Sequence, residues 1–190
     1  MDFGKLMAKG SEAEIYCNGE EITKFRNRKD YRISEIDGAI RKERNRREAR
    51  MLKKAREIGL PVPEVLKEGK DYFVMEKLEG RKAESSIETA VHIGEALAKL
   101  HSSGIIHGDL TPYNMMISNG GYHIIDFGLS FFSNRIEDKA DDLLTSYYSL
   151  REHEKSLFSS YEKNSRGGKE VVKRMERIKG RVRYANDKKC

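Results

Sequence analysis

The chain has 190 residues, 37% hydrophobic and 36% charged with a net charge of +6, enough to bury a core as one domain or as two small lobes. No apolar run approaches the roughly 18 residues that cross a bilayer, and the opening MDFGKLMAKG lacks the charged-then-apolar layout of a secretory signal, so the reading is of a cytoplasmic protein without a membrane partner. Cys17 and Cys190 stand far apart with no metal-type spacing, and the terminal DKKC does not fit a prenylation box, which suits a reducing compartment.

In chain order, the opening reads as strands folding back on one another. LMAKG and EIYC are short strand candidates flanking the turn GSEA, and Asn18-Gly19 is a two-residue hairpin signal. EEITKFR then alternates, which sets Ile22, Lys24 and Arg26 on one face of the returning strand and makes Lys24 an inward-pointing lysine. From about Ser34 to Ile58 the pattern is helical. Met51, Leu52 and Ala55 follow Glu48 at the spacing of one helix face, so Glu48 lies on the apolar stripe, whereas Glu43 faces a more polar side. A carboxylate on such a stripe needs a cation, because an unpaired buried charge is costly. Arg44, one turn earlier, is the local candidate.

LPVPEVLKEGKDYFVME reads as two strands around a turn, with Pro61 and Pro63 confining the entry. KLEG is the boundary between two lobes of a single domain, residues 1–77 and 78–183, with 184–190 read as a frayed basic tail. SSIETAVHIGEALAKLHSSG is a helix with a Ser cap, apolar positions at Ile87, Val91, Leu97 and Ala98, and a glycine stop at Gly104. HGDLTPYN follows, then a strand MMIS, a turn NGG and a strand YHII running into Asp126, and from Glu137 onward the pattern is helical. Glu137 and Asp142 read as helix-end and lobe-scaffold residues. The basic stretch RKERNRREARMLKKAR from Arg41 reads chiefly as a solvated helix face, and the tail from Arg166 to Lys189 as a surface for RNA or for regulation.

Asp109, Asn114 and Asp126 carry the chemistry. As turn formers bonding their own backbone they would be unremarkable, but their order behind an inward lysine is that of phosphoryl transfer. There a lysine neutralises nucleotide phosphates, two oxygen ligands hold magnesium, and a further carboxylate orients the attacking hydroxyl. The D-x-x-x-x-N and D-F-G spacings agree with the protein-kinase signature set. His101 reads as closing a helix at its negative end rather than as a metal ligand with His107 and Asp109.

GSEAEIY, ITKFRNRKDYRISEID, NRREARML, HGDLTPYN, IIDFGLS, IEDKADDL and KGRVR together resemble the KEOPS-complex kinase family, the small RIO-like serine/threonine kinase and ATPase subunits of the tRNA threonylcarbamoyladenosine machinery. The resemblance runs from Gly10 to Arg183. It implies an α+β, minimal bilobal protein-kinase-like fold, with a small β-rich first lobe carrying one main helix and a mostly helical, truncated second lobe. It implies ATP and Mg2+ as cofactors. Gly10, Ser11, Glu12 and Ala13 would form the phosphate-covering turn, and Lys24 would bind the α/β-phosphates and pair with Glu48. Met75 would be the gatekeeper, with the Glu76 carbonyl and the Leu78 amide on adenine. Asp109 would be the catalytic base, and Asn114 and Asp126 the magnesium ligands. The implied partners are the threonylcarbamoyl-transferase subunit, a small regulatory subunit on the first lobe, and tRNA through the basic C-terminal tail. A place within a longer fusion with the transferase stays open.

The departures from ordinary protein kinases are specific. Gly108 stands where a basic residue usually precedes the catalytic aspartate, and Thr111 where many protein kinases have lysine. No A-P-E occurs, the segment after Gly128 is short, and Ser11-Glu12 replaces a full G-x-G-x-x-G. These features favour self-phosphorylation or partner-coupled ATP hydrolysis over phosphorylation of arbitrary proteins. A small-molecule phosphotransferase of the aminoglycoside or choline type, and an RNA-binding pseudokinase scaffold, are the alternatives.

Overall fold

The structure, a computed structural model, describes residues 2–29 and 33–187. Three strands, β1 (Lys5–Lys9), β2 (Glu14–Asn18) and β3 (Glu21–Phe25), precede the long helix α1 (Ser34–Glu57), and β4 (Val65–Glu68) and β5 (Tyr72–Glu76) follow it. They form one antiparallel sheet in the order β1-β2-β3-β5-β4. Pairing of Asn18 with Glu21 makes Gly19-Glu20 the hairpin loop, one residue beyond the expected turn. The helix has no side-chain cap at its start and is polar over most of its surface, so packing rather than propensity holds it. Ala49, Met51, Leu52 and Ala55 are buried. Asn45 donates from Nδ2 to the Tyr72 carbonyl at 2.7 Å, tying the middle of α1 to the start of β5.

Past β5 the chain becomes mostly helical. The short β6 (Arg81–Lys82) leads into α2 (Ile87–Ser102), then β7 (Ile105–Ile106), the hairpin of β8 (Met115–Ser118) and β9 (Gly121–Ile124), and β10 (Phe131–Phe132). Three helices close the chain: α3 (Ile136–Ser149), α4 (Glu154–Asn164) and α5 (Gly168–Asp187). The helix α5 therefore runs into the segment expected to fray, and residues 188–190 lie outside the described ones. Strands β6, β8 and β9 form a second sheet, and β7 pairs with β10.

The expected Ser cap on α2 is Ser86, whose Oγ accepts from the Thr89 N–H at 3.1 Å. Of the apolar positions expected on α2, Leu97 and Ala98 are buried and Ile87 and Val91 are not. Ile87 is 61% exposed and Val91 half-buried, while Ala90, Ile93, Leu97 and Leu100 face the core. Gly94 sits where α2 meets α4 most closely: a Cβ there would stand 2.6 Å from the Leu157 carbonyl oxygen. The result is the α+β, two-lobed arrangement that the sequence implied, with a small sheet and α1 above and helices below. No helix among the described residues is long and apolar enough to cross a membrane.

Candidate active site

The alternation of β3 places its side chains as the sequence implied. Lys24 on β3 and Arg26 just past its end are both buried, and α1 carries Glu48 against them with 1% exposure. Lys24 Nζ lies 2.5 Å from Glu48 Oε1, and Arg26 Nη2 lies 2.6 Å from Glu48 Oε2, so each carboxylate oxygen takes its own cation. Arg44, the local candidate on the same helix, instead bonds Glu12 in the glycine turn. Lys24 also reaches Asp126 Oδ2 at 2.9 Å, which joins the sheet lobe to the helical lobe.

The electrostatics follow from these contacts. Burial works against the Lys24 ammonium, but the charges of Glu48 and Asp126 outweigh it and hold its pKa above the ordinary lysine value. Burial likewise opposes ionisation of Asp126, and the Lys24 charge, with the Gly128 N–H donating to Oδ1 at 2.8 Å, overrides it and depresses the carboxyl. Burial holds the Glu48 pKa above the ordinary carboxylate value, and the Lys24 and Arg26 charges oppose that shift without cancelling it.

The loop from His107 to Asn114 is held from below by α3. Asp142 accepts from the His107 N–H at 2.7 Å through Oδ2 and from the Gly108 N–H at 2.8 Å through Oδ1. It also bonds His101 Nε2 at 3.0 Å. Burial pushes the Tyr161 hydroxyl up to about 12, and this protonated hydroxyl shares a hydrogen bond with His101 Nδ1 at 2.8 Å. Ser146 Oγ donates to the Leu110 carbonyl at 2.6 Å, a second tether from α3. Gly108 has φ +84°, and a Cβ there would lie 2.9 Å from the Leu129 carbonyl oxygen, so this position needs glycine on both counts. His107 is fully buried, which lowers its pKa and keeps it neutral, and its Nδ1 accepts from the Asp109 N–H at 3.2 Å.

Asn114 Nδ2 donates to the Asp109 carbonyl at 2.8 Å and to Asp109 Oδ2 at 2.9 Å, which locks the two side chains together and leaves the Asn114 amide oxygen available. Asp109, Asn114, Asp126 and Lys24 line one cleft of about 560 Å³ roofed by residues 10–13 of the glycine turn. Met75, Glu76 and Leu78 lie at the end of β5 and in the connector after it and do not line this cavity. Asp142 acts as the scaffold residue it was read to be, and Glu137 pairs with Arg174 of α5 at 3.1 Å. Sequence reasoning missed Ser146 and the arginines Arg26 and Arg47 as cleft or loop supports; only the strand parity of Arg26 pointed inward. Chemically, the cleft offers a fixed ammonium, hard oxygen donors on Asp126 and Asn114, and a carboxylate on Asp109.

Comparison with known proteins agrees with this geometry. Residues 7–145 match the RIO domain family. The chain is 36% identical to the probable serine/threonine-protein kinase BUD32 homolog of Archaeoglobus fulgidus, covering 92% of this chain and 94% of that one. It is 37% identical to the KEOPS complex subunit Bud32 of Pyrococcus abyssi, over 93% of this chain and 87% of that one. It is also 37% identical to the probable bifunctional tRNA threonylcarbamoyladenosine biosynthesis protein of Methanosarcina acetivorans, where 96% of this chain spans only 36% of that longer relative. Among solved structures, the ADP-bound aminoglycoside phosphotransferase APH(2'')-Ib superposes with a TM-score of 0.63 at 13% identity, over 90% of this chain and 80% of that one, a likeness of fold alone. A buried lysine–glutamate pair, a tethered H-G-D loop and these relatives lead to one assignment: the chain belongs to the RIO-domain family, on the branch of the Bud32 proteins.

Proposed function

We propose that this chain is a magnesium-dependent, ATP-using serine/threonine protein kinase and ATPase that serves a KEOPS assembly in forming threonylcarbamoyladenosine in tRNA. The observation that carries the reading is Lys24 fixed between Glu48 and Asp126 at the mouth of a cleft that also holds Asp109 and Asn114. The names borne by the relatives supply the biological setting.

In this reading the turn of residues 10–13 covers the phosphates with its backbone amides, and Met75, Glu76 and Leu78 hold the adenine side. Lys24 brings positive charge to the phosphates, and Glu48 keeps its ammonium from swinging away. Asp126 and Asn114 hold the metal. Two protein oxygens with phosphates and water completing the shell suit magnesium, and no larger group of acidic or histidine ligands occurs among the described residues. Magnesium, when bound, neutralises charge that develops on the transferred phosphoryl group. Asp109 orients a serine hydroxyl or water and accepts its proton, held in place by Asn114. Catalysis is then positioning and electrostatics on a preorganised loop.

The partners in this reading are the threonylcarbamoyl-transferase subunit, a small subunit on the sheet lobe, and tRNA at the basic tail, all in the cytoplasm. The test is ATP turnover with and without magnesium, for the protein alone, then with the transferase subunit, then with tRNA added. Asp126→Ala abolishes metal-dependent turnover, and Asp109→Ala lowers turnover on the order of 100- to 10,000-fold while sparing nucleotide binding. Turnover at the wild-type rate in Asp126→Ala would overturn the assignment.

A further inference from the structure

The arginines of α1 divide into two groups. Arg41 pairs with Asp37 and Asp71, Arg44 with Glu12, and Arg56 with Glu64. Arg46, Arg47 and Arg50 have no carboxylate partner among the described residues. All three line one open groove of about 480 Å³ between α1 and β10, with Met51 at its floor and Glu43 as its single acid. The opposite wall is Phe131 and Phe132, 40% and 48% exposed. The Arg50 guanidinium stands 5.3 Å from the centre of the Phe132 ring. Arg47 has its Nε buried without an acceptor, and it lines both this groove and the neighbouring cleft.

Over its described residues the basic tail also carries cations without a carboxylate partner, Lys169, Lys173 and Arg177 among them, but its one ring contact is to the buried Tyr147. Arg174 pairs with Glu137, and Lys179 lies against Glu154, Glu176 and the Tyr147 ring. On α1, by contrast, the arginines without an acid stand beside exposed aromatic rings. Arg46 and Arg50 sit one helical turn apart, so their side chains leave the helix roughly 5–6 Å from each other on one face. A row of guanidiniums next to accessible ring faces matches a ligand that repeats a negative charge and carries flat apolar groups. An acidic protein segment supplies the charge but not the flat faces. A single strand of nucleic acid supplies both, with phosphates for the guanidiniums and bases for the rings.

We propose that the groove between α1 and β10 is a binding site for single-stranded nucleic acid, with Arg46, Arg47 and Arg50 on phosphates and Phe131 and Phe132 stacking against bases. It stands apart from the phosphoryl-transfer reading, since neither Arg46, Arg50 nor Phe132 lines the cleft.

The experiment is fluorescence anisotropy of a labelled oligouridine RNA with the full chain across a salt series, alongside ATP turnover. In the wild type, affinity falls as salt rises. Arg46→Glu with Arg50→Glu weakens binding at least tenfold and makes the slope of log affinity against log salt shallower by about 1.4, at about 0.7 for each phosphate no longer neutralised. ATP turnover without RNA stays unchanged. Phe132→Ala, which alters no charge, weakens binding about fivefold or more and leaves the slope as it was. Lys155→Glu with Lys163→Glu on α4, both exposed and outside the groove and the basic tail, makes the same change in net charge and leaves affinity within about twofold of the wild type, with the slope unchanged. Equal weakening by that control pair, unchanged affinity in the groove variants, or no oligouridine binding by the wild type at low salt each overturns the proposal. The last outcome would leave the groove to an acidic protein surface.

Discussion

At the residue scale, Glu48 is where the two lobes and the helix converge. It is 1% exposed and bonds two cations at 2.5 and 2.6 Å. Glu48→Ala strands Lys24 and Arg26 in a buried setting, and breaking a buried pair from one side costs on the order of 3–5 kcal/mol. Glu43, on the solvent side of the same helix, is exposed, and Glu43→Ala stays within about 0.5 kcal/mol. Urea unfolding of the two variants side by side measures the difference. This contrast is legible in the sequence, because helical spacing alone separates Glu48 from Glu43. Which cation Glu48 takes is not legible from spacing. Arg44 sits one turn away, yet its guanidinium goes to Glu12, a choice made by the fold of the glycine turn.

At the scale of elements, the close approach of α2 and α4 is set by Gly94. A methyl group there meets the Leu157 carbonyl oxygen at 2.6 Å and Ser160 Cβ at 2.9 Å, so Gly94→Ala pushes two helices apart. Overpacking of this kind costs about 1–3 kcal/mol, against the smaller gain that alanine brings to an isolated helix. Thermal unfolding of Gly94→Ala is expected to show a lowered midpoint, and an unchanged or raised midpoint counts against the tight contact. Long elements are readable in the sequence: the strands around Lys24, the helix α1 and the hairpin at Asn119-Gly120 follow from alternation, periodicity and turn chemistry. The two-residue strands β6, β7 and β10 are not, because two residues leave no alternation to detect. The stripe of α2 was misplaced at Ile87, the first residue after the Ser86 cap, which precedes the buried face instead of lying on it.

For the whole molecule, the Lys24–Asp126 pair links the sheet lobe to the helical lobe. Because Asp126 is depressed below the ordinary carboxylate value of 3.8, its contribution to stability is complete above that value and is lost as pH falls through the folded-state pKa. Lys24, raised above 10.5, behaves oppositely: its contribution is complete below 10.5 and is lost as pH rises through the raised value. Melting temperatures of the wild type and Asp126→Asn are therefore expected to converge on acidification below about pH 4, with the variant showing the flatter acid limb. Parallel limbs would show that the pair is not coupled to folding. Motif order brings Lys24 and Asp126 to one site from opposite ends of the signature, but that they pair directly is not legible in it. The Asp142 tether was visible only as a scaffold residue, because the donors it accepts from are backbone N–H groups of His107 and Gly108, which no side-chain pattern reveals.

Gly108 bears on how the site can be controlled. Arginine at that position is what lets many kinases be switched on by a phosphorylated loop, but here the backbone turns left-handed and the Leu129 carbonyl crowds the place of a first side-chain carbon. An arginine placed at this position would have to rebuild the loop around its own side chain. A charged clamp directly before the catalytic-loop aspartate is therefore closed to this backbone.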